Sequence, residues 1–141
     1  MTTEQSRNER CDRSGAAIGE IAQPGTAVPR EVRIVSRRTE ARVVLVTCRS
    51  MAEARKIAKA VVAKRLAACA NVVSAPVESV YRWKGKVETV KELLLMMKTT
   101  GRLKELEKEV VRLHSYEVPE FLVIKIEGGS AAYLKWLVDN C

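Results

Sequence analysis

Five consecutive apolar residues at positions 93–97, Leu-Leu-Leu-Met-Met, place the strongest constraint on the fold of this chain. Successive side chains of a strand point to opposite faces, so such a run needs apolar surroundings on both faces of its sheet. A second run at 43–46, Val-Val-Leu-Val, has the same character. Helices can cover one face. Because 141 residues make one small domain, copies of the same chain should cover the other face in a homo-oligomer.

Two amphipathic helices are predicted, one between the two apolar runs and one after the second run. Ser50 and Glu53 form the Ser-x-x-Glu pattern of a helix start, and apolar residues follow at helical spacing to about Ala68. A second helix is predicted from about residue 102 to residue 113, with Thr100 as its N-cap.

The remaining segments complete the order of elements. Strands are predicted at 77–84 and 121–126, the first of them preceded by the segment Ala-Asn-Val-Val at 70–73, with a turn at Gly85 in which glycine adopts a positive φ. The glycines of segment 128–130 should break the last strand before a short C-terminal helix. The order β-α-β-β-α-β with an extra C-terminal helix predicts an α+β, ferredoxin-like fold, an antiparallel sheet with helices on one face.

Residues 1–40 differ in composition from the rest of the chain. They contain no lysine and no aromatic residue, and they include five glycine or proline residues. Such a segment buries too little apolar surface to offset its backbone entropy. We therefore expect a disordered N-terminal extension over 1–40, in which Val32, Ile34 and Val35 could form a short extended piece, and a folded domain over 41–141.

The formal net charge of +8 raises the question of an acidic partner. Lysines and arginines alternate with glutamates instead of forming a run, which argues against nucleic acid. No apolar stretch reaches 18 residues and the N-terminus lacks the apolar centre of a secretory signal, so we expect no membrane contact and a cytoplasmic location. The common nucleotide-binding, hydrolase and metalloprotease motifs are absent, and we expect no enzyme.

His114, the only histidine, precedes Glu117 and Glu120 and is a candidate ligand for copper or another divalent cation. The alternative is an imidazole at a helix C-terminus that satisfies a backbone carbonyl. The cysteines lack CxxC spacing, which argues against a usual zinc site. Cys69 fits a small buried side chain better than a ligand, whereas Cys48 is compatible with either packing or soft-metal binding.

Tyr81 and Trp83 are two residues apart on a predicted strand and therefore share a face. Aromatic residues flanked by cations suggest a nucleic-acid platform, but the glycine-punctuated aromatics of RNA-recognition domains are missing. Packing at a subunit interface is the better interpretation of this pair.

Residues 42–138 resemble the CutA divalent-cation-tolerance family. The matching segments include Tyr-Arg-Trp-Lys-Gly-Lys at 81–86, Lys-Arg-Leu-Ala-Ala-Cys-Ala-Asn at 64–71 and His-Ser-Tyr-Glu-Val-Pro-Glu at 114–120. The resemblance implies a homotrimer of ferredoxin-like subunits with a role in tolerance of divalent ions, copper especially. It also implies a metal site formed by His114, Glu120 and Cys69. The chain has Ser115 and Arg49 where the family usually has proline.

An alternative function follows from the trimeric ferredoxin-like plan, which signalling proteins that sense small molecules share. In that case a nucleotide or another anion would bind between subunits. The basic residues that could contact it are Arg82, Lys84, Lys86 and Lys98.

Overall fold

The structure is a computed structural model that describes residues 34–36, by their backbone, and residues 39–141. Seven strands and three helices form within these ranges. In chain order they are β1 (Ile34–Ser36), β2 (Arg42–Cys48), α1 (Met51–Ala63), β3 (Cys69–Val72), β4 (Val77–Trp83), β5 (Lys86–Thr99), α2 (Leu103–Leu113), β6 (Leu122–Lys125), β7 (Gly128–Ser130) and α3 (Ala131–Asn140).

The main sheet has the strand order β3-β5-β2-β6, and all of its neighbouring strands are antiparallel. β5 is 14 residues long. Its second half pairs with β2 and β3, whereas residues 86–92 pair only with β4. β4 and β5 therefore form a hairpin arm that extends past the sheet, and Gly85 at its turn has the predicted positive φ, 81°. The predicted α+β class with an antiparallel sheet is confirmed, but three strands and not two lie between α1 and α2, and β1 and β7 are additional short strands.

The core lies between the sheet and the helices α1 and α2. Val44, Val46 and Cys48 alternate along β2 and are fully buried, and Leu95 and Met97 of β5 are buried beside them. α1 contributes Ala54, Ile57 and Val61, and α2 contributes Leu106 and Val110. The helices thus cover one face of the sheet, as the apolar runs require.

The face of the sheet opposite the helices is also apolar. Leu45 pairs directly with Met96 on one side and with Leu122 on the other, and directly paired residues present their side chains on the same face. Ile124 lies on this face opposite Val43. Leu122 and Ile124 remain 53% and 49% exposed in the single chain. We call this surface the open face.

Two predicted helix boundaries are wrong. α1 ends at Ala63 instead of about Ala68, because Arg65 has a φ of 54° and leaves the helical conformation. Leu66 still packs in the core, which is why the apolar spacing continues past the helix end. At α2 the N-cap is Arg102, with a φ of 51° and no side-chain capping bond, and not Thr100.

The segment before residue 40 is described only in part. Ile34–Ser36 pair antiparallel with Gly128–Ser130, so the short extended piece is confirmed for Ile34 and Val35, and the glycine segment forms a strand of its own. Val32 and most of the predicted disordered extension lie outside the described residues. The extension over 1–40 stays a prediction.

Glu109 of α2 should make the stability of the fold depend on acid pH. Hydrogen bonds from Arg112 and Lys64 lower its pKa from about 4.5 to about 2. A carboxyl group whose pKa is lowered by folding stabilises the folded state fully at pH values above its unfolded pKa. This stabilisation is lost as the pH falls toward the folded pKa. We expect Glu109→Gln to lower the melting temperature at pH 7, and the difference from the unmodified chain to vanish near pH 2. Thermal melts across this range measure it.

The exposed Glu107 on the same helix provides the matched control. Glu107→Gln should leave the melting temperature nearly unchanged at every pH. A difference for Glu109→Gln that stays constant down to pH 2 would contradict the ion-pair explanation.

Candidate functional site

Glu53 connects the start of α1 to the segment that follows α2. Its backbone N–H donates to Ser50 Oγ at 3.2 Å, which is half of the predicted capping box. Its carboxylate accepts from Arg49 N at 2.9 Å and from Ser115 N at 2.6 Å. Burial alone would raise the pKa of Glu53, but the hydrogen bonds from Ser115 and Arg49 outweigh it and hold the pKa below its usual value. A proline at position 115 could not donate this bond.

His114 is completely buried beside Glu53. Its Nδ1 accepts a hydrogen bond from Tyr116 N at 3.1 Å, so the ring proton resides on Nε2, which donates to Thr47 O at 2.8 Å. Glu53 Oε1 lies 3.8 Å from Nδ1. The imidazole therefore satisfies a backbone carbonyl, as the alternative interpretation expected. That carbonyl belongs to β2 and not to α2.

Cys48 completes a group of three potential metal ligands with Glu53 and His114. Their ligand atoms lie within 4.8 Å of one another, and the structure gives no other such group of three His, Cys, Asp or Glu side chains among its described residues. Burial, and then the charges of Glu53 and Glu92, raise the pKa of the Cys48 thiol to about 12. We call these three residues the Cys48 cluster.

The structure separates the three ligands that the resemblance implies. Cys69 pairs with Lys98 of β5, whereas Cys48 pairs with Leu93, five residues away on the same strand and thus about 17 Å along it. Cys69 Sγ instead lies 3.6 Å from Asn71 Oδ1. Within one chain, Cys69 is therefore not brought to His114, and its role as a ligand stays a prediction.

Glu120 lies in a cleft on the open-face side of the sheet, next to the Cys48 cluster. The cleft has a volume of about 530 Å³. It is lined by residues that include Thr47, Tyr81, Trp83, Glu92, Tyr116 and Glu120. We call it the acidic cleft.

Charged and phenolic groups interact closely inside the acidic cleft. Burial, followed by the charge of Glu92, raises the pKa of Glu120. Burial and a hydrogen bond to the Glu92 carboxylate raise the pKa of Tyr116 to about 12. The Arg49 guanidinium lies 5.5 Å above the centre of the Tyr116 ring. Glu92 thus faces Glu120, Tyr116 and Arg49 from a buried position.

The four basic residues of the anion-sensor alternative do not line the acidic cleft. Arg82 donates to Gly85 O at 3.2 Å within its own turn, and Lys84 lies 5.8 Å from the centre of the Trp83 ring. Lys98 donates to Asn71 Oδ1. These contacts lie within one chain, so an anion site between subunits stays a prediction.

Sequence reasoning missed Glu53 and Glu92 as site residues. The Ser50-x-x-Glu53 pattern identified Glu53 only as a helix-capping residue. The position of Glu92 directly before the apolar run at 93–97 was an available signal, because glutamate is rarely buried at the end of an apolar strand unless it has a partner.

The architecture and this site define the chain as a ferredoxin-like α+β domain with a potential metal-binding cluster beside an acidic cleft. The family model described as CutA1 divalent ion tolerance protein matches residues 42–140. The chain therefore belongs to the CutA1 divalent ion tolerance family, and the resemblance and the ferredoxin-like fold are confirmed.

Individual relatives agree with this assignment. The divalent-cation tolerance protein CutA of Thermus thermophilus is 48% identical over 99 residues, which are 70% of this chain and 95% of that protein. A solved structure of a Thermus thermophilus divalent cation tolerance protein has a TM-score of 0.69 at 46% identity, and the match covers 71% of this chain and 97% of that one. Mouse protein CutA is 45% identical over 65% of this chain, which spans about half of that protein, 52%.

The expectation of a cytoplasmic location is wrong as a general statement for such a chain. A relative from Arabidopsis thaliana, 43% identical over 70% of this chain and 54% of that protein, is named chloroplastic. A solved structure from Archaeoglobus fulgidus, with a TM-score of 0.68 and 35% identity over 71% of this chain and 97% of that one, is named periplasmic. The expectation rested on the absence of an apolar segment, and this absence does not specify the location of a protein. Among the described residues, no helix combines the length and apolarity needed to cross a membrane.

Proposed function

We propose that this chain acts in divalent-cation tolerance as a subunit of a homotrimer that binds a divalent cation weakly, copper or another, and catalyses no reaction. The observation that carries the proposal is the Cys48 cluster, whose three ligand atoms lie within 4.8 Å of one another. Thiolate and imidazole ligands favour copper and zinc over magnesium or calcium.

This proposal keeps one ligand of the set that the resemblance implies. His114 remains, and Cys48 and Glu53 take the place of Cys69 as its neighbours. Glu120 lies in the adjoining cleft, and the metal titration described below tests whether it contributes to binding.

Weak affinity follows from the contacts of the cluster. A metal ion at His114 must displace either the Tyr116 N–H from Nδ1 or the Nε2 contact with Thr47 O. The Cys48 thiol must also lose a proton from a group whose pKa is about 12. Both steps cost free energy before any metal–ligand bond forms.

Cobalt(II) titration under argon tests the proposal, because cobalt bound by a thiolate has a sulfur-to-metal charge-transfer band. We expect this band in the unmodified chain, its loss in Cys48→Ser, and at least about tenfold weaker binding in His114→Gln, which retains a donor for Thr47 O. Displacement of cobalt by zinc then compares the two ions.

The matched control is Cys69→Ser, which removes a thiol from the other end of the sheet. It should leave the band and the affinity unchanged, and Glu120→Gln reports whether the cleft contributes. Loss of the band in Cys69→Ser together with its retention in Cys48→Ser would overturn the site and restore the ligand that the resemblance implies. Equal binding by all four variants would overturn both assignments.

A further inference from the structure

The acidic cleft contains a carboxyl oxygen that finds no hydrogen-bond partner among the described residues of this chain. Glu92 is only 4% exposed, and its Oε1 is buried without a hydrogen bond from any of residues 39–141. A buried carboxyl oxygen without a donor is costly, and native proteins retain few of them. Glu92 lines the cleft, so a ligand in the cleft can supply the missing donor.

The charge of the cleft selects a cation as that ligand. Its lining contains three carboxylates, Glu92, Glu117 and Glu120, and a single guanidinium, that of Arg49. The cleft is therefore negative on a chain whose formal net charge is +8. An anion would meet repulsion here, whereas a cation would be drawn to this position.

The walls of the cleft favour an organic cation over a metal ion. Tyr81, Trp83 and Tyr116 place three aromatic rings around it, and aromatic faces attract ammonium groups. The volume of about 530 Å³ is in the range of small-molecule sites and far exceeds that of an ion. The three-ligand group that the structure gives lies in the neighbouring Cys48 cluster.

We propose that the acidic cleft binds a small organic cation that carries a protonated amine. The ammonium group donates a hydrogen bond to Glu92 Oε1 and pairs with Glu120, and its alkyl portion packs against Tyr81 and Trp83. The Cys48 cluster supplies none of these contacts, so the proposal does not depend on metal binding at that cluster.

Isothermal titration of the full chain with n-butylammonium chloride tests the proposal, with butan-1-ol as the uncharged probe of similar shape. We expect butylammonium to bind and butan-1-ol to bind at least about tenfold more weakly, because only the ammonium group forms charge-assisted hydrogen bonds. Glu92→Gln should weaken butylammonium binding about tenfold or more, and Trp83→Leu by several-fold.

Glu107→Gln is the matched control, since it makes the same charge change on the exposed face of α2, away from the cleft. It should leave the affinity within about twofold. Should Glu92→Gln fail to fold, Glu120→Gln and the comparison of the two probes on the unmodified chain retain the test. Absence of butylammonium binding, equal binding of both probes, or no effect of Glu92→Gln and Glu120→Gln would overturn the proposal.

A competition experiment separates this proposal from the metal site. Saturating cobalt(II) should leave butylammonium affinity unchanged, and Cys48→Ser, which loses the cobalt band, should still bind butylammonium. Displacement of butylammonium by cobalt would mean that the cleft is part of a metal site, which would overturn the organic-cation assignment.

Discussion

Replacement of Glu53 by alanine is expected to lower the free energy of unfolding by about 3 kcal/mol, since hydrogen bonds to a charged group are worth about 1.5–3 kcal/mol each. The Glu53 carboxylate accepts two backbone N–H groups, from Arg49 and from Ser115, and the second lies 62 residues away in the chain. Without the carboxylate both donors lose their partner, and the segment after α2 is released from α1. Urea unfolding at a fixed protein concentration measures the change.

Two further substitutions separate this explanation from a simple capping effect. Ser50→Ala removes only the side-chain cap of α1 and should cost about 1 kcal/mol. Glu53→Gln keeps the size of the side chain and one acceptor oxygen, so it can retain one of the two hydrogen bonds and should cost about half as much as alanine. A Glu53→Ala effect no larger than that of Ser50→Ala would contradict the proposed connection.

Replacement of Met96 by glutamate is expected to dissociate the proposed homotrimer. Met96 lies on the open face directly opposite Leu45 of β2, and a carboxylate there could not be buried against a second chain. The unmodified chain should have a mass of about 47 kDa, three times its 15.7 kDa. The variant should have the mass of a single chain or precipitate. Sedimentation equilibrium at micromolar concentration measures both.

The matched control for this experiment is Val111→Glu. Val111 is 46% exposed on α2, away from the open face, so the same change in chemistry is made at a site with no proposed contact. Val111→Glu should retain the mass of the unmodified chain. A single-chain mass for the unmodified protein would contradict the homotrimer and the inference from residues 93–97.

Local patterns were sufficient to predict the fold. Apolar runs identify β2 and β5 because both faces of these strands carry apolar side chains, and a run without polar alternation has few other solutions. The helix ends were harder, because Leu66 continues the apolar spacing of α1 after the backbone has turned at Arg65. A pattern of burial is visible in a sequence, but a positive φ at a non-glycine residue leaves no such signal.

The candidate site could be predicted only where its residues are close in sequence. His114 and Glu120 share one segment and were identified. The proximity of Cys48 and Glu53 to His114 was not predicted, because these residues reach it only when β2, α1 and the end of α2 assemble. The position of Cys69 was not predicted either, since matching residue types says nothing about which end of a sheet each residue occupies. Distances of this kind depend on strand register, which the sequence of a single chain specifies only indirectly.

The hairpin arm connects the proposed association of subunits with the proposed binding of a ligand in the acidic cleft. Val80 and Val87 on the arm are 64% and 63% exposed, while Tyr81 and Trp83 on the same arm form walls of the acidic cleft. A second chain that packs against Val80 and Val87 would therefore also affect the positions of Tyr81 and Trp83 in the cleft. If subunits associate through these valines, association and occupancy of the cleft depend on the same conformation of the arm. Thermodynamic reciprocity then requires each to change the equilibrium constant of the other by the same factor.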